Sequence, residues 1–265
     1  MKVLSLSLLF AGAACVYNGG AIDMDDIIHV SSEKEKKMGM SLSAQVEKKF
    51  ESVEDAAVQE RFHNIGKRIA KVCERKEFVY HFKVLKAKEG EEIEKYYNAF
   101  TLPGGYVYMF EPLFDALETD DRIAAVTAHE IGHTTARHVI KRLQSSLGTN
   151  ILMLLALATA QDGRTVAEAN EAITHLMLSY SREDEFEADR LSIKYLKKAG
   201  FNPDGAVGSL LVLKELRKKG REFPYSPYKS HPYLSERIAA ARSEIKGYTD
   251  FESYINLPDE KESPY

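Results

Sequence analysis

Two histidines and a glutamate stand at metal-binding spacing near the middle of the chain. In His129-Glu130-Ile131-Gly132-His133 the two imidazoles are four residues apart. On a helix that spacing sets both rings on one face. Two neutral ring nitrogens can then grip one Zn²⁺ at about 2.1 Å. Glu130 lies one residue round the helix from His129. It can reach a water beside the ion and act as general base for hydrolysis. The bland alternative is a surface helix that happens to carry two histidines.

A catalytic zinc needs a third protein ligand and an open fourth position. The metzincin arrangement would require a Gly three residues after the second His and a His three further on. Ala136 and Val139 occupy those places, which excludes it. His138 is one residue short of that place, and on a continuous helix it faces elsewhere. It reads as a structural or solvated histidine. The acidic run Ser181 to Arg190 offers carboxylates instead. Glu185 and Asp189 share one face at i,i+4, and Asp189 could hold a zinc-binding His in the right tautomer. Glu183 and Glu187 have the same spacing, and Glu171 and His175 on the preceding helix also qualify. Spacing leaves the choice open. His231 is, by itself, a His in a loop rich in Pro and Tyr.

These residues need a scaffold. The segment Asp120 to His138 reads as one helix, with Asp120 and Asp121 as N-cap and acidic first turn and Ile123, Ala124 and Val126 as an apolar face. Leu42, Val46 and Phe50 mark one helix face before it. Val58, Phe62, Ile65, Ile69 and Val72 mark a second stripe, in a helix from about 55 to 74. Phe78 to Lys86 alternates as a half-buried strand. Tyr96 to Leu102 and Tyr106 to Phe110 read as two more strands around the turn Pro103-Gly104-Gly105. From Glu111 onward the pattern is helical, with segments near 112–118, 140–160, 165–180, 182–199, 204–219 and 232–246. The expected class is α+β, mostly helical with a small antiparallel sheet beside the His129–His133 helix. The uncharged run Ile151 to Ala160 is too short to span a bilayer. It reads as a core helix, with a flap near the cleft as the sharper alternative.

Composition narrows the partners. The chain has 265 residues, 44% hydrophobic and 29% charged, with Lys+Arg 36 against Asp+Glu 40 and a net charge of −4. That is a globular composition without the basic surplus of a general nucleic-acid binder. Two cysteines, Cys15 and Cys73, make no disulfide scaffold, and Cys73 reads as a small core residue. Lys2 followed by apolar Val3 to Ala14 is a signal-peptide pattern. Ala11-Gly12-Ala13-Ala14-Cys15 resembles a bacterial lipobox, although Gly12 stands where Leu is usual, and Ala11-Gly12-Ala13 also fits an ordinary cleavage site. The expected organisation is a signal peptide at 1–15, a linker at 16–30, a domain carrying the His129–His133 motif at 31–250 and a polar tail at 251–265.

Four blocks together resemble the HtpX-like and CAAX-prenyl-protease-like zinc metallopeptidases, which are gluzincins, and in particular their small exported bacterial members. They are Asn98 to Gly105; His129 to His133 with Arg137-His138; Ser181 to Asp189 with Ala199-Gly200-Phe201-Asn202-Pro203; and Ser230-His231-Pro232 with Arg237. The resemblance implies one Zn²⁺ per chain, with Glu185 as third ligand and Asp189 behind a ligand His. It gives His231 a role as oxyanion stabiliser or as a cap on a resting metal. It also sets Asn98, Ala99 and Phe100 beside the cleft, where an edge strand could pair with an extended substrate backbone. The expected activity is metalloendopeptidase cleavage of unfolded or misassembled envelope proteins, in the periplasm. Contact with the membrane would come only through a lipid on Cys15. A chaperone or assembly factor with a mainly structural zinc is the rival reading, and an open-cleft peptidase for short peptides a third.

Overall fold

A computed structural model describes residues 30–91, 93–145, 180–219, 231 and 233–249, with Ile173 and Tyr254. The expected signal peptide, the C-terminal tail apart from Tyr254, the run Ile151 to Ala160, Glu171 and His175 lie outside the described residues, as does the linker except Val30. The elements are α1 (Ser32–Lys49), α2 (Ala56–Ala70), β1 (His81–Leu85), β2 (Ala99–Leu102), β3 (Tyr106–Phe110), α3 (Glu111–Leu117), α4 (Asp120–Thr135), α5 (Arg182–Ala199), α6 (Asp204–Lys219) and α7 (Leu234–Lys246). Residues 138–145 are also helical.

The sheet has the order β1-β3-β2. β2 runs antiparallel to β3, pairing Ala99 with Met109 and Leu102 with Tyr106. β1 runs parallel to β3, pairing His81 with Tyr106 and Leu85 with Phe110. The sheet is therefore mixed, not antiparallel throughout. The long connection between β1 and β2 lets the chain enter the sheet on the far side of β3, and strand patterns alone carry no sign of that crossing.

Alternation along the strands divides the apolar residues between two cores. Val107 and Met109 of β3, Phe82 and Val84 of β1 and Ala99 of β2 join the core with α2 and the later helices. Tyr108 and Phe110, Leu85, Phe100 and Leu102 join the core under α1. This is the two-residue period of a sheet buried on both faces. The helix stripes fall where their spacing puts them. Phe62, Ile65 and Ile69 of α2 are buried, as are Leu42 and Val46 of α1, and Cys73 is a core residue.

α4 lies at the centre, packed against α2, α5, α6 and the edge strand β2. Its N-cap is Thr119, whose Oγ1 accepts from Arg122 N–H at 3.4 Å. Asp120 and Asp121 follow as the acidic first turn. The helix is shorter than its sequence suggested. It stops at Thr135, and Arg137 adopts φ 62°. A non-glycine residue in the left-handed region breaks the helix and redirects the chain. Among the described residues no helix is long and apolar enough to cross a membrane.

Candidate metal centre

His129 and His133 share the inner face of α4, and their rings meet edge to face with centroids 4.6 Å apart. Gly132 lies between them in sequence, and it brings the two helices close. A Cβ there would meet Ala188 O of α5 at 3.1 Å. The close approach delivers Glu185 of α5 between the histidines. Its Oε2 stands 3.5 Å from His129 Nε2 and its Oε1 stands 3.3 Å from His133 Nε2. The two Nε2 atoms are 3.0 Å apart. His231, just before α7, adds Nδ1 at 3.3 Å from His129 Nε2 and 2.9 Å from Glu185 Oε1. All four side chains are buried.

The donor set fits a metal ion. One donor atom from each of His129, His133, Glu185 and His231 lies within 4.8 Å of all the others. Four donors about 2.1 Å from a common ion in a tetrahedron would stand about 3.4 Å apart. The contacts of 2.9–3.5 Å are close to such edges. The chemistry agrees: ring nitrogens and a carboxylate turn lone pairs toward one point. Glu130 adds a buried carboxylate whose Oε2 has no hydrogen-bond partner among the described residues. Its Oε1 is 3.5 Å from His231 Nε2.

Behind the donors stands a charged layer. Asp189 Oδ1 is 2.9 Å from His129 Nδ1. Arg237, from α7, grips Asp189 through Nε and Nη2 at 2.7 Å each and sets Nη1 2.5 Å from Glu185 Oε2. Arg237 stands with His231 in the fourth block of the resemblance, but without a role of its own. The signal was its position six residues after His231, one helical turn into α7. His138 was read as structural or solvated. It is buried, with Nδ1 2.9 Å from His133 Nδ1. Tyr180 was not singled out, and its ring stacks on His133 at 3.9 Å. Of the alternative carboxylates, Glu183 is exposed and Glu187 reaches His138, not the cluster.

Burial and neighbours separate the titrating groups. Burial pushes the Glu130 carboxyl above its ordinary value. Burial also holds His133 well below the usual imidazole range, so the ring is neutral and able to donate a lone pair. Burial acts downward on His129 as well, but hydrogen bonds to Asp189 and Glu185 outweigh it and push the ring up to about 9. Burial would raise Glu185, yet His231 and Arg237 hold it well below the carboxylate range. Beside this cluster a small apolar cavity of about 30 Å³ opens between α4 and α6, with Ala99, Ala125, Glu130, Ala206 and Leu210 in its wall. Asn98 also lines it, while Phe100 packs in the core under α1.

Comparison with known proteins agrees with this architecture. Residues 56–245 match the family described as Peptidase family M48. The beta-barrel assembly-enhancing protease of Escherichia coli K12 is 28% identical over 225 residues, covering 81% of this chain and 44% of the relative. Metalloprotease LoiP of the same organism is 30% identical over 151 residues, covering 56% of this chain and 58% of the relative. The mitochondrial metalloendopeptidase OMA1 of Schizosaccharomyces pombe is 32% identical over 115 residues, covering 41% of this chain and 32% of the relative. The chain spans less than half the length of the first of these. With a central HExxH helix, a buried His/Glu cluster and a matched span covering most of its length, the chain belongs to peptidase family M48.

Proposed function

We propose that the chain is a zinc-dependent metalloendopeptidase, with His129, His133 and Glu185 as the ligands of one Zn²⁺. The observation that supports this best is the convergence of three ring nitrogens and a carboxylate beside a second buried carboxylate, Glu130. A purely structural site has no use for that second carboxylate. When bound, the ion supplies Lewis-acid polarisation of the scissile carbonyl and acidifies water. Glu130 takes a proton from the attacking water and returns it to the leaving amine. Its burial-raised pKa suits a group that must do both near neutral pH. Asp189 accepts from His129 Nδ1–H, so Nε2 is the nitrogen that would be left to the ion. His231 Nε2, close to Glu130, serves as a donor to the developing oxyanion. Alternatively, with a metal bound, His231 would cap it in a resting state, since its ring lies among the other donors.

Substrate binding falls to the start of β2. This strand is an edge of the sheet, and Asn98 and Ala99 line the cavity next to Glu130. An extended backbone at this edge seats a small apolar side chain in the cavity. In the proposed organisation residues 1–15 are a signal peptide, 16–30 a linker, 31–250 the peptidase domain and 251–265 a tail, with the domain in the periplasm and Cys15 as a lipid anchor to the outer membrane. The substrates are unfolded or misassembled envelope proteins, a reading supported by the name of the relative that enhances beta-barrel assembly. The deciding experiment loads the purified chain with zinc and offers it an unfolded protein beside the Glu130→Gln variant. Cleavage by the unsubstituted chain alone supports the proposal. Equal cleavage by both removes Glu130 as the base. No cleavage by either, with zinc bound, favours a chaperone or assembly role, unless a His231→Ala variant cleaves.

A further inference from the structure

Among the described residues the proposed chemistry leaves one buried imidazole without a task. His138 follows the left-handed turn at Arg137, which ends α4 and swings the chain back onto it. That turn is held from α1: Arg137 Nη2 is 2.9 Å from Glu35 Oε1 and also donates to Val30 O. The result is a stack of contacts running away from the metal donors. His133 Nδ1 faces His138 Nδ1 at 2.9 Å. His138 Nε2 in turn faces Asp184 Oδ1 at 3.1 Å and Glu187 Oε2 at 3.2 Å, both at the acidic start of α5.

The hydrogen-bond directions along this stack are forced from its outer end. Ionised carboxylates only accept, so His138 Nε2 carries a hydrogen. A neutral imidazole has one N–H, so His138 Nδ1 is bare and accepts. Its neighbour at 2.9 Å is then His133 Nδ1–H, which leaves His133 Nε2 bare. That nitrogen faces His129 Nε2 and Glu185 Oε1. We infer that His138 is a positioning residue that fixes the tautomer and ring orientation of His133 for metal binding, through a hydrogen-bond relay to Glu187 with the Asp184 carboxylate beside it. The two metal-motif histidines are thus served differently. His129 donates to a carboxylate directly, whereas His133 reaches its carboxylates through a second ring. The interposed ring transmits orientation without adding another negative charge to a pocket that already buries Glu130, Glu185 and Asp189.

The inference rests on the metal reading, and one titration distinguishes their failures. Zinc affinity of the full chain is measured by competition with a chromogenic chelator, for the unsubstituted protein, His138→Leu and His138→Asn. Melting of each without added zinc reads the fold. Leucine offers no acceptor, and its affinity should fall about 10- to 100-fold, the range seen when a metal-ligand histidine loses its partner. Asparagine sets Oδ1 where Nδ1 stood, so it accepts from His133 and should recover most of that loss. If the leucine variant does not fold, His138→Ala takes its place and is read in the same way. Unchanged affinity in the leucine variant, or an asparagine variant as weak as leucine, overturns the inference alone. No zinc uptake by the unsubstituted chain overturns the metal reading and the inference together.

Discussion

Arg237 and Asp189 form a buried two-point ion pair, Nε to Oδ2 and Nη2 to Oδ1, each at 2.7 Å. The pair ties α7 to α5 directly behind the metal donors. Its guanidinium also pairs with Glu185, so one cation serves two carboxylates in a closed pocket. Geometry of this kind is available only to arginine, whose planar fork matches a carboxylate at two points.

Removing the cation should therefore cost more than removing an ordinary surface charge. Arg237→Leu leaves Asp189 and Glu185 buried without their counter-charge, and a broken buried pair costs about 3–5 kcal/mol. Arg237→Lys should recover only part of this, because a point charge cannot bridge both oxygens. Urea unfolding of the two variants measures it. A leucine variant within about 1 kcal/mol of the unsubstituted chain would show that the pair contributes little net stability.

The same pair predicts a limb of acid unfolding. Burial works to raise the Asp189 carboxyl, but Arg237 and His129 overcome it and hold it at about 2, below its ordinary value of 3.8. A group depressed in the folded state stabilises above its unfolded pKa. That stabilisation is fully present above pH 4 and is lost as the pH falls through about 2. The loss is worth roughly 2 kcal/mol. In Asp189→Asn the total loss of stability between pH 4 and pH 2 should be smaller by roughly that amount. Equal losses would show that Asp189 has the same pKa folded and unfolded.

Metal uptake should be coupled to a proton. His129 binds its proton up to about pH 9, because its hydrogen bonds to Asp189 and Glu185 outweigh burial. A metal requires the bare Nε2, so binding below that pH displaces one proton. Zinc affinity should then rise about tenfold per pH unit up to about pH 9 and flatten beyond it. Calorimetry at pH 7.5 in buffers of different ionisation heat counts the protons. A count near zero would mean that His129 is already neutral.

What the sequence revealed and what it hid follow from the range of each interaction. The i,i+4 spacing of His129 and His133 is local, as are the stripe Phe62, Ile65, Ile69 and the alternation of Tyr106 to Phe110. Each is fixed by the period of a single element, and each is legible without a fold. The crossing that makes β1 parallel to β3 depends on how a connection wraps, which no strand pattern encodes. Glu185 could not be told from Glu183 or Glu187 by spacing, since choosing among them requires the rotation of α5 against α4. The family resemblance supplied that choice. The reading of His138 as structural or solvated left its neighbours open, because they depend on where α4 stops. One left-handed residue, Arg137, converts a position that would face away into one that touches His133.

The rotation and distance of α5 depend on Gly132, which makes this glycine a site determinant without donor atoms. A Cβ at Gly132 would lie 3.1 Å from Ala188 O, 3.2 Å from Ala188 Cα and 3.4 Å from Leu191 Cβ. Two of these neighbours are backbone of α5 and can yield only if the helix moves. Ala188 lies three residues after Glu185 and one before Asp189, so the displacement carries both carboxylates away from His129 and His133. Alanine is intrinsically better than glycine within a helix by about 1 kcal/mol, which offsets part of the strain in Gly132→Ala. Folding stability should therefore change little while zinc affinity falls. Gly132→Val, with two further methyl groups against the same backbone, should lose both. Chelator competition and thermal melting on the two variants separate the effects. Wild-type zinc affinity in Gly132→Val would mean that α4 and α5 can separate without disturbing the donors, and that Glu185 is not held in place by this contact.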